Sequence, residues 1–77
     1  MKAIILHESK GRIRFRIGQK KMTLQEADVL ENWFQKKSWI TQVTVHERTG
    51  CVILQYSGSR KEVLAAIREA EIGRAHV

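Results

Sequence analysis

The stretch RIRFRI, residues 12–17, decides how this chain folds. Arginine and apolar side chains alternate along it, and successive side chains of a β-strand point to opposite faces of a sheet. The three apolar residues are therefore expected to face a hydrophobic core. The three arginines share the opposite face, and we refer to them as the arginine row: Arg12, Arg14 and Arg16.

Further strands are predicted on both sides of this stretch. AIIL at residues 3–6 is strand-like, and Gly11 separates it from the arginine row, so the two segments form either a hairpin or one bent strand with a bulge. Residues 40–58 contain two more alternating runs around a turn at residues 48–50. Gly50 supplies the positive φ that this tight turn requires.

Two capping boxes predict where helices begin. Thr23 is followed three residues later by Glu26, and Ser59 is followed three residues later by Glu62. Apolar residues then recur at three- and four-residue spacing, which is typical of amphipathic helices. The stripe of the first helix is Leu24, Ala27, Leu30 and Phe34. The stripe of the second helix is Val63, Leu64, Ile67 and Ala70.

The order strand, helix, strand, strand, helix predicts an α+β fold, a ferredoxin-like β-α-β-β-α two-layer sandwich. In that architecture a closing strand pairs with the edge of the first strand. Residues 71–77, EIGRAHV, contain few apolar residues and a strand-weakening Gly73, so we expect the last strand to be absent or poorly formed. An open edge beside the first strand then predicts marginal stability or self-association.

The ending EIGRAHV also resembles the in-frame translation of a common sequencing adapter. On this interpretation residues 1–70 are the domain and residues 71–77 are a non-native tail. The chain would then be a truncated N-terminal fragment, and Arg74 and His76 would carry no function.

The charge balance is strongly basic, because 14 Lys and Arg against 8 Asp and Glu give a net charge of +6. This favours anionic partners such as nucleic acid, a lipid surface or an acidic protein, and a merely solubilising surface is the alternative. A single cysteine excludes an internal disulfide. No segment approaches the roughly 20 apolar residues that span a bilayer, so we expect a cytoplasmic domain.

The sequence contains neither a nucleophile–base constellation nor a phosphate-binding glycine loop, so this chain is not expected to be an enzyme. Residues 18–23, GQKKMT, lack the Cys-x-x-Cys pair that would hold Cu(I) or Zn(II). The remaining candidate metal ligands are His46 and Cys51, which the alternation places together on the exposed sheet face. Two ligands support only a weakly held transition-metal ion, and a partly covered thiol beside a surface imidazole is the alternative. His7 is expected to be a polar loop residue or a contact to a partner domain.

The arginine row is the strongest predicted surface feature. Its guanidinium groups repel one another unless anions meet them, which indicates docking onto phosphates, anionic lipids or a carboxylate-rich surface, and a simply solvated edge is the alternative. Nucleic-acid binding is disfavoured, because Phe15 and Tyr56 alternate inward and are not placed to stack on bases. Trp33 and Trp39 are expected to pack on the first helix and just after it.

Two short motifs resemble those of a known family. The first is His7 followed by Gly11, Arg12, Ile13 and Arg14; the second is the turn Arg48, Thr49 and Gly50 before an apolar strand. With the two capped helices they cover residues 1–70. They resemble the cysteine-less heavy-metal-associated domain at the N-terminus of some bacterial heavy-metal-translocating P-type ATPases.

The resemblance implies a regulatory or metal-sensing appendage on an ATP-driven metal-ion pump of the plasma membrane. Without Cys-x-x-Cys, docking through the arginine row onto the pump or onto lipid headgroups fits better than direct ion capture. Two alternatives remain open. One is a stand-alone small metal-binding or chaperone-like protein that uses His46 and Cys51. The other is a basic nucleic-acid-binding module.

Overall fold

The computed structural model describes residues 3–17 and 22–71 of the chain. Two helices pack on one face of a four-stranded antiparallel sheet, an α+β architecture that is compatible with the ferredoxin-like prediction. In chain order the elements are β1 (Ala3–Ser9), β2 (Arg12–Ile17), α1 (Leu24–Gln35), β3 (Ile40–His46), β4 (Cys51–Tyr56) and α2 (Arg60–Glu71). The strands lie in the order β1-β2-β4-β3.

The N-terminal segment forms a hairpin with the arginine-row strand. Gly11 adopts a φ of 77° in the turn, and Ser9 then lies opposite Arg12. β2 is consequently paired on both sides, by β1 and by β4. β1 therefore lies beside residues 12–17, where a closing strand would otherwise pair, and the edge of the described sheet is the outer side of β1. Residues 72–77, where that strand was sought, lie outside the described residues.

The hydrophobic core lies between the sheet and the two helices. Ile13, Phe15 and Ile17 are buried in it, as their alternation predicted. The Phe15 ring meets the ring of Phe34 edge-on at a centroid distance of 6.0 Å. Because aromatic side chains bury the largest areas, this contact ties β2 to α1 at the centre of the domain.

The helix stripes differ from the predicted ones at two positions. Leu24 is 69% exposed. Successive residues of an α-helix are rotated by about 100° around its axis, so Leu24 points roughly 90° away from the mean direction of the other stripe residues of α1. In α2, Ala66 is buried, while Leu64 lies at the flank of the stripe and is only partly buried. Both differences follow from the narrow face that each helix presents to the sheet.

Both predicted capping boxes are present. The Thr23 hydroxyl accepts a hydrogen bond from the Glu26 backbone N–H at 3.1 Å, and the Glu26 carboxylate accepts one from the Thr23 N–H at 2.9 Å. Ser59 and Glu62 repeat the arrangement before α2 at 3.3 and 3.5 Å. None of the helices in the described ranges is long and apolar enough to cross a membrane.

Candidate docking surface

The face of the sheet opposite the helices, which we call the open face, carries the arginine row. Residues that lie directly opposite each other in an antiparallel pair point to the same face, so the register identifies the neighbours of the arginines. On β1 and β4 these neighbours are Ile4, His7, Ser9, Cys51, Ile53 and Gln55. On β3 the corresponding residues are Gln42, Thr44 and His46.

A β-bulge in β1 decides which of its polar residues reach the open face. Ile5 lies opposite Phe15 and His7 lies opposite Arg14, so Leu6 is one extra residue in the strand. After the bulge the alternation is shifted by one residue. His7 therefore joins the arginines on the open face, and Glu8, opposite Ile13, lies on the helix side.

On the helix side, Glu8 forms an ion pair with Arg60 at the start of α2. Arg60 donates from Nε to Glu8 Oε2 at 2.5 Å and from Nη2 to Oε1 at 3.2 Å. The hydrogen bonds from Arg60 to the Glu8 carboxylate raise the pKa of Arg60. Glu8 is the one acidic residue in the four described strands. The open face of those strands is therefore free of carboxylates.

The three arginines are not equally exposed. Arg12 and Arg14 are exposed, while Arg16 is half-buried. The Nε atom of Arg16 is buried, and it has no hydrogen-bond partner among the described residues. A buried guanidinium N–H without an acceptor carries a desolvation cost.

The two candidate metal ligands are brought together by the hairpin of β3 and β4. His46 lies directly opposite Cys51, as the alternation predicted. The prediction that both are exposed was wrong for Cys51, which is only 5% exposed because it lies on an interior strand, between His46 on β3 and Arg16 on β2. Within residues 3–17 and 22–71, no group of three or more His, Cys, Asp or Glu side chains could hold a metal ion.

His7 was expected in a loop, but it is an exposed residue of β1. The extra residue Leu6 shifts the alternation of β1 by one, and the strand then stays paired with β2 as far as Ser9. A run of three large apolar residues in an otherwise alternating strand is the signal in the sequence that could have indicated this bulge. The polar neighbours Ser9 and Gln55, both opposite Arg12, were not singled out from the sequence.

The two motifs behind the family resemblance lie at opposite ends of β2. The Tyr56 N–H donates to Gly11 O at 3.0 Å at one end, and the Ile17 N–H donates to Gly50 O at 3.1 Å at the other. Gly50 adopts the predicted positive φ, at 74°. The glycines of the two motifs therefore shape two separate turns, while His7, Arg12 and Arg14 of the first motif lie on the open face.

Aromatic side chains are placed away from the arginine row. Phe15 is fully buried, and Tyr56 lies on the helix side of β4 and is half-buried. Trp33 packs edge-on against Phe34 at 4.8 Å, and the Lys37 ammonium lies 4.3 Å from the centre of the Trp33 ring. The open face of the described strands thus offers guanidinium groups but no aromatic ring for stacking.

Comparison with protein-family models, curated proteins and solved structures finds no match to this chain. The likeness to the heavy-metal-associated domain therefore depends on the two turn motifs and the order of the elements.

Proposed function

We propose that this chain is a non-catalytic docking domain whose arginine row binds a carboxylate-rich protein surface. The observation that carries the proposal is the placement of Glu8. The bulge at Leu6 moves the single strand carboxylate to the helix side, where Arg60 binds it. Three arginines are left on a face that has no internal counter-charge among the described strands.

The spacing of the row suits a regular acidic partner. Alternate residues of a strand are roughly 7 Å apart, and residues four apart on a helix bring their side chains to roughly 5–6 Å. A helix with acidic residues at i, i+4 and i+8, or an acidic strand, would place one carboxylate opposite each arginine. Guanidinium groups bind carboxylates through two parallel hydrogen bonds, which fixes the orientation of the partner.

A lipid surface fits the face less well. Each basic residue near an anionic membrane contributes about 1 kcal/mol, so three arginines give about a hundredfold preference, and stable anchoring requires a second signal. On β3 and β4 the row is bordered by the polar residues Gln42, Thr44 and Gln55, and the apolar Ile53 beside Arg14 is half-buried, whereas a membrane anchor would offer exposed apolar side chains.

Single-stranded nucleic acid also fits less well. Proteins that bind it combine a basic groove with aromatic rings, and each stacked base contributes about 1–3 kcal/mol. On the described strands, Phe15 and Tyr56 face the helices instead. A phosphate backbone could contact the arginines, but it would do so without that stabilisation.

The setting that we propose is the N-terminus of a heavy-metal-translocating P-type ATPase, as the motif resemblance suggests. There the partner is an acidic surface on the cytoplasmic part of the same pump. The domain would regulate the pump by binding to that surface and releasing it. Its α+β architecture is compatible with a ferredoxin-like fold, which supports this setting, and the lack of Cys-x-x-Cys in residues 18–23 favours docking over ion capture.

A second candidate is weak metal binding, which the opposed pair His46 and Cys51 favours. This function would belong to a stand-alone metal-binding protein. Calorimetric titration of the reduced chain with Zn(II) or Cu(I) tests it. Heat that disappears in Cys51→Ser would support it, and the absence of heat would remove it.

The docking proposal is tested by titrating the full chain with a fluorescent helical peptide that carries glutamates at i, i+4 and i+8. We expect Arg14→Glu to weaken binding at least about tenfold, because a hydrogen bond to a charged group contributes about 1.5–3 kcal/mol. Lys61→Glu changes the net charge equally on the other layer, in α2, and should leave binding nearly unchanged.

Two further probes separate the sources of the anion. They are vesicles containing phosphatidylserine and a 20-nucleotide single-stranded DNA. If either probe binds more tightly than the peptide and its binding depends on Arg14 in the same way, the partner is a lipid surface or a nucleic acid and not a protein. If Arg14→Glu and Lys61→Glu weaken peptide binding equally, the binding depends on the net charge of the chain and not on the arginine row.

A further inference from the structure

His7 places an imidazole beside the centre of the arginine row. It is an exposed residue of β1 and lies directly opposite Arg14 on β2. Side chains that are directly opposite have Cβ atoms about 4.5–5.5 Å apart, and those on the diagonals are roughly 7–8 Å apart. The His7 ring is therefore within reach of a group that binds Arg14, and Arg12 and Arg16 lie on its two diagonals.

The bulge at Leu6 brings the imidazole to this position. In a regular strand that started from the pairing of β1 with β2 before the bulge, Leu6 would lie opposite Arg14. Glu8 would then lie opposite Arg12 and neutralise one end of the row. The bulge instead places His7 opposite Arg14 and turns Glu8 away. Bulges often re-aim side chains next to functional sites.

The charged groups that face His7 from β2 are the three arginines of the row. Beyond them on β4, the neighbour of Arg14 is the uncharged Ile53. α2 packs on the other face of the sheet, where its Arg60 is bound to Glu8. Lys10, in the turn after β1, adds a further cation at the end of the hairpin. A protonated His7 therefore adds positive charge to a face that has no carboxylate on the described strands.

We propose that His7 makes docking of the acidic partner depend on pH, so that docking is tight when the imidazole is protonated and weaker when it is neutral. The inference rests on the proposed docking function of the arginine row. Histidine changes its charge between about pH 5 and 8. A carboxylate has about four acceptor positions on its two oxygens, so one carboxylate can accept hydrogen bonds from both Arg14 and His7.

The direction of the pH dependence follows from the linkage between proton binding and docking. The partner carboxylate attracts the imidazolium more strongly than the neutral imidazole, so docking takes up a proton from solution. Raising the pH therefore weakens docking, and lowering it strengthens docking. The expected range is roughly pH 5.5 to 8, because the glutamates of the partner lose their charge only near pH 4.3.

The test repeats the titration of the full chain with the fluorescent glutamate peptide at about pH 5.8 and pH 8.0, on the two sides of the ordinary titration range of histidine. We expect binding to be at least about fivefold tighter at the lower pH, which corresponds to about one pH unit of differential proton affinity. His7→Gln keeps a neutral side chain at this position and should reduce the difference to less than about twofold. His7→Lys carries a permanent charge and should bind tightly at both pH values.

Two double variants test whether the position of the imidazole matters. Gln55 is exposed and lies directly opposite Arg12, so Gln55→His combined with His7→Gln should restore the pH dependence. Lys61 is exposed on α2, in the other layer, so Lys61→His combined with His7→Gln should not restore it. Far-ultraviolet circular dichroism at both pH values checks that every variant is folded.

The docking function and the role of His7 fail in different ways. If the peptide binds at neither pH, or if Arg14→Glu leaves binding unchanged, the docking function is wrong. If binding depends on Arg14 but is equally tight at both pH values, only the role of His7 is overturned. The same conclusion follows if His7→Gln keeps the full pH difference, or if Lys61→His restores it as well as Gln55→His does.

Discussion

Arg60 at the first turn of α2 holds the carboxylate of Glu8 on β1 with two hydrogen bonds, 52 residues away in sequence. The pair exists because the bulge at Leu6 turns Glu8 to the helix side of the sheet. The same shift by one residue brings His7 next to Arg14 on the open face. One inserted residue thus separates the carboxylate of β1 from the arginine row.

The exposed position of this ion pair predicts a small effect on stability. The Arg60 side chain is 60% exposed, and exposed ion pairs are weakened by solvent and by salt. Glu8→Gln should therefore leave the urea midpoint of unfolding unchanged within experimental error. A large fall in that midpoint would show that the pair is required to hold β1 against α2.

The core contact of Phe15 with Phe34 predicts a large loss of stability on truncation. Phe15 is fully buried, and Phe15→Ala should lower the free energy of unfolding by about 3–5 kcal/mol. Leu24→Ala removes an exposed side chain from α1 and should change it by less than about 0.5 kcal/mol. Chemical denaturation followed by circular dichroism measures both, and similar losses would contradict the burial of Phe15.

The turn of the first hairpin depends on the left-handed backbone of Gly11. Its φ of 77° is costly for residues with a Cβ, so Gly11→Ala should destabilise the domain by about 1–2 kcal/mol. Gly11→Asn should cost less, because asparagine adopts this conformation more readily. If both variants melt at the wild-type temperature, the turn does not have this geometry in solution.

The sheet needs no strand after α2 to pair both sides of β2. Deleting residues 72–77 should therefore leave the far-ultraviolet circular dichroism spectrum and the melting temperature nearly unchanged. Deleting residues 66–77 instead removes the buried residues Ala66, Ile67 and Ala70 and should unfold the domain. A large loss of stability in the shorter deletion would assign a structural role to the ending EIGRAHV.

The predicted placement of the candidate residues on the sheet was partly correct for a geometric reason. The arginine row and the inward-facing aromatic residues could be predicted, because the alternation of side chains along a single strand is a local property of the chain. The exposure of Cys51 was predicted wrongly because it depends on side chains of two other strands, those of Arg16 and His46.

The sequence by itself determined the elements of this protein. Alternation in residues 12–17 specified a strand with one buried face, and the capping boxes at Thr23 and Ser59 specified where the helices begin. These are short-range effects of backbone geometry and of hydrogen bonds between residues three apart.

Only the tertiary structure decided that β1 fills the edge beside β2, that Leu6 is a bulge, and that Glu8 pairs with Arg60. Each of these depends on the register between segments that are distant in the chain or joined through a turn. A slip of one residue moves a side chain to the other face of the sheet, and packing against the helices selects among such registers.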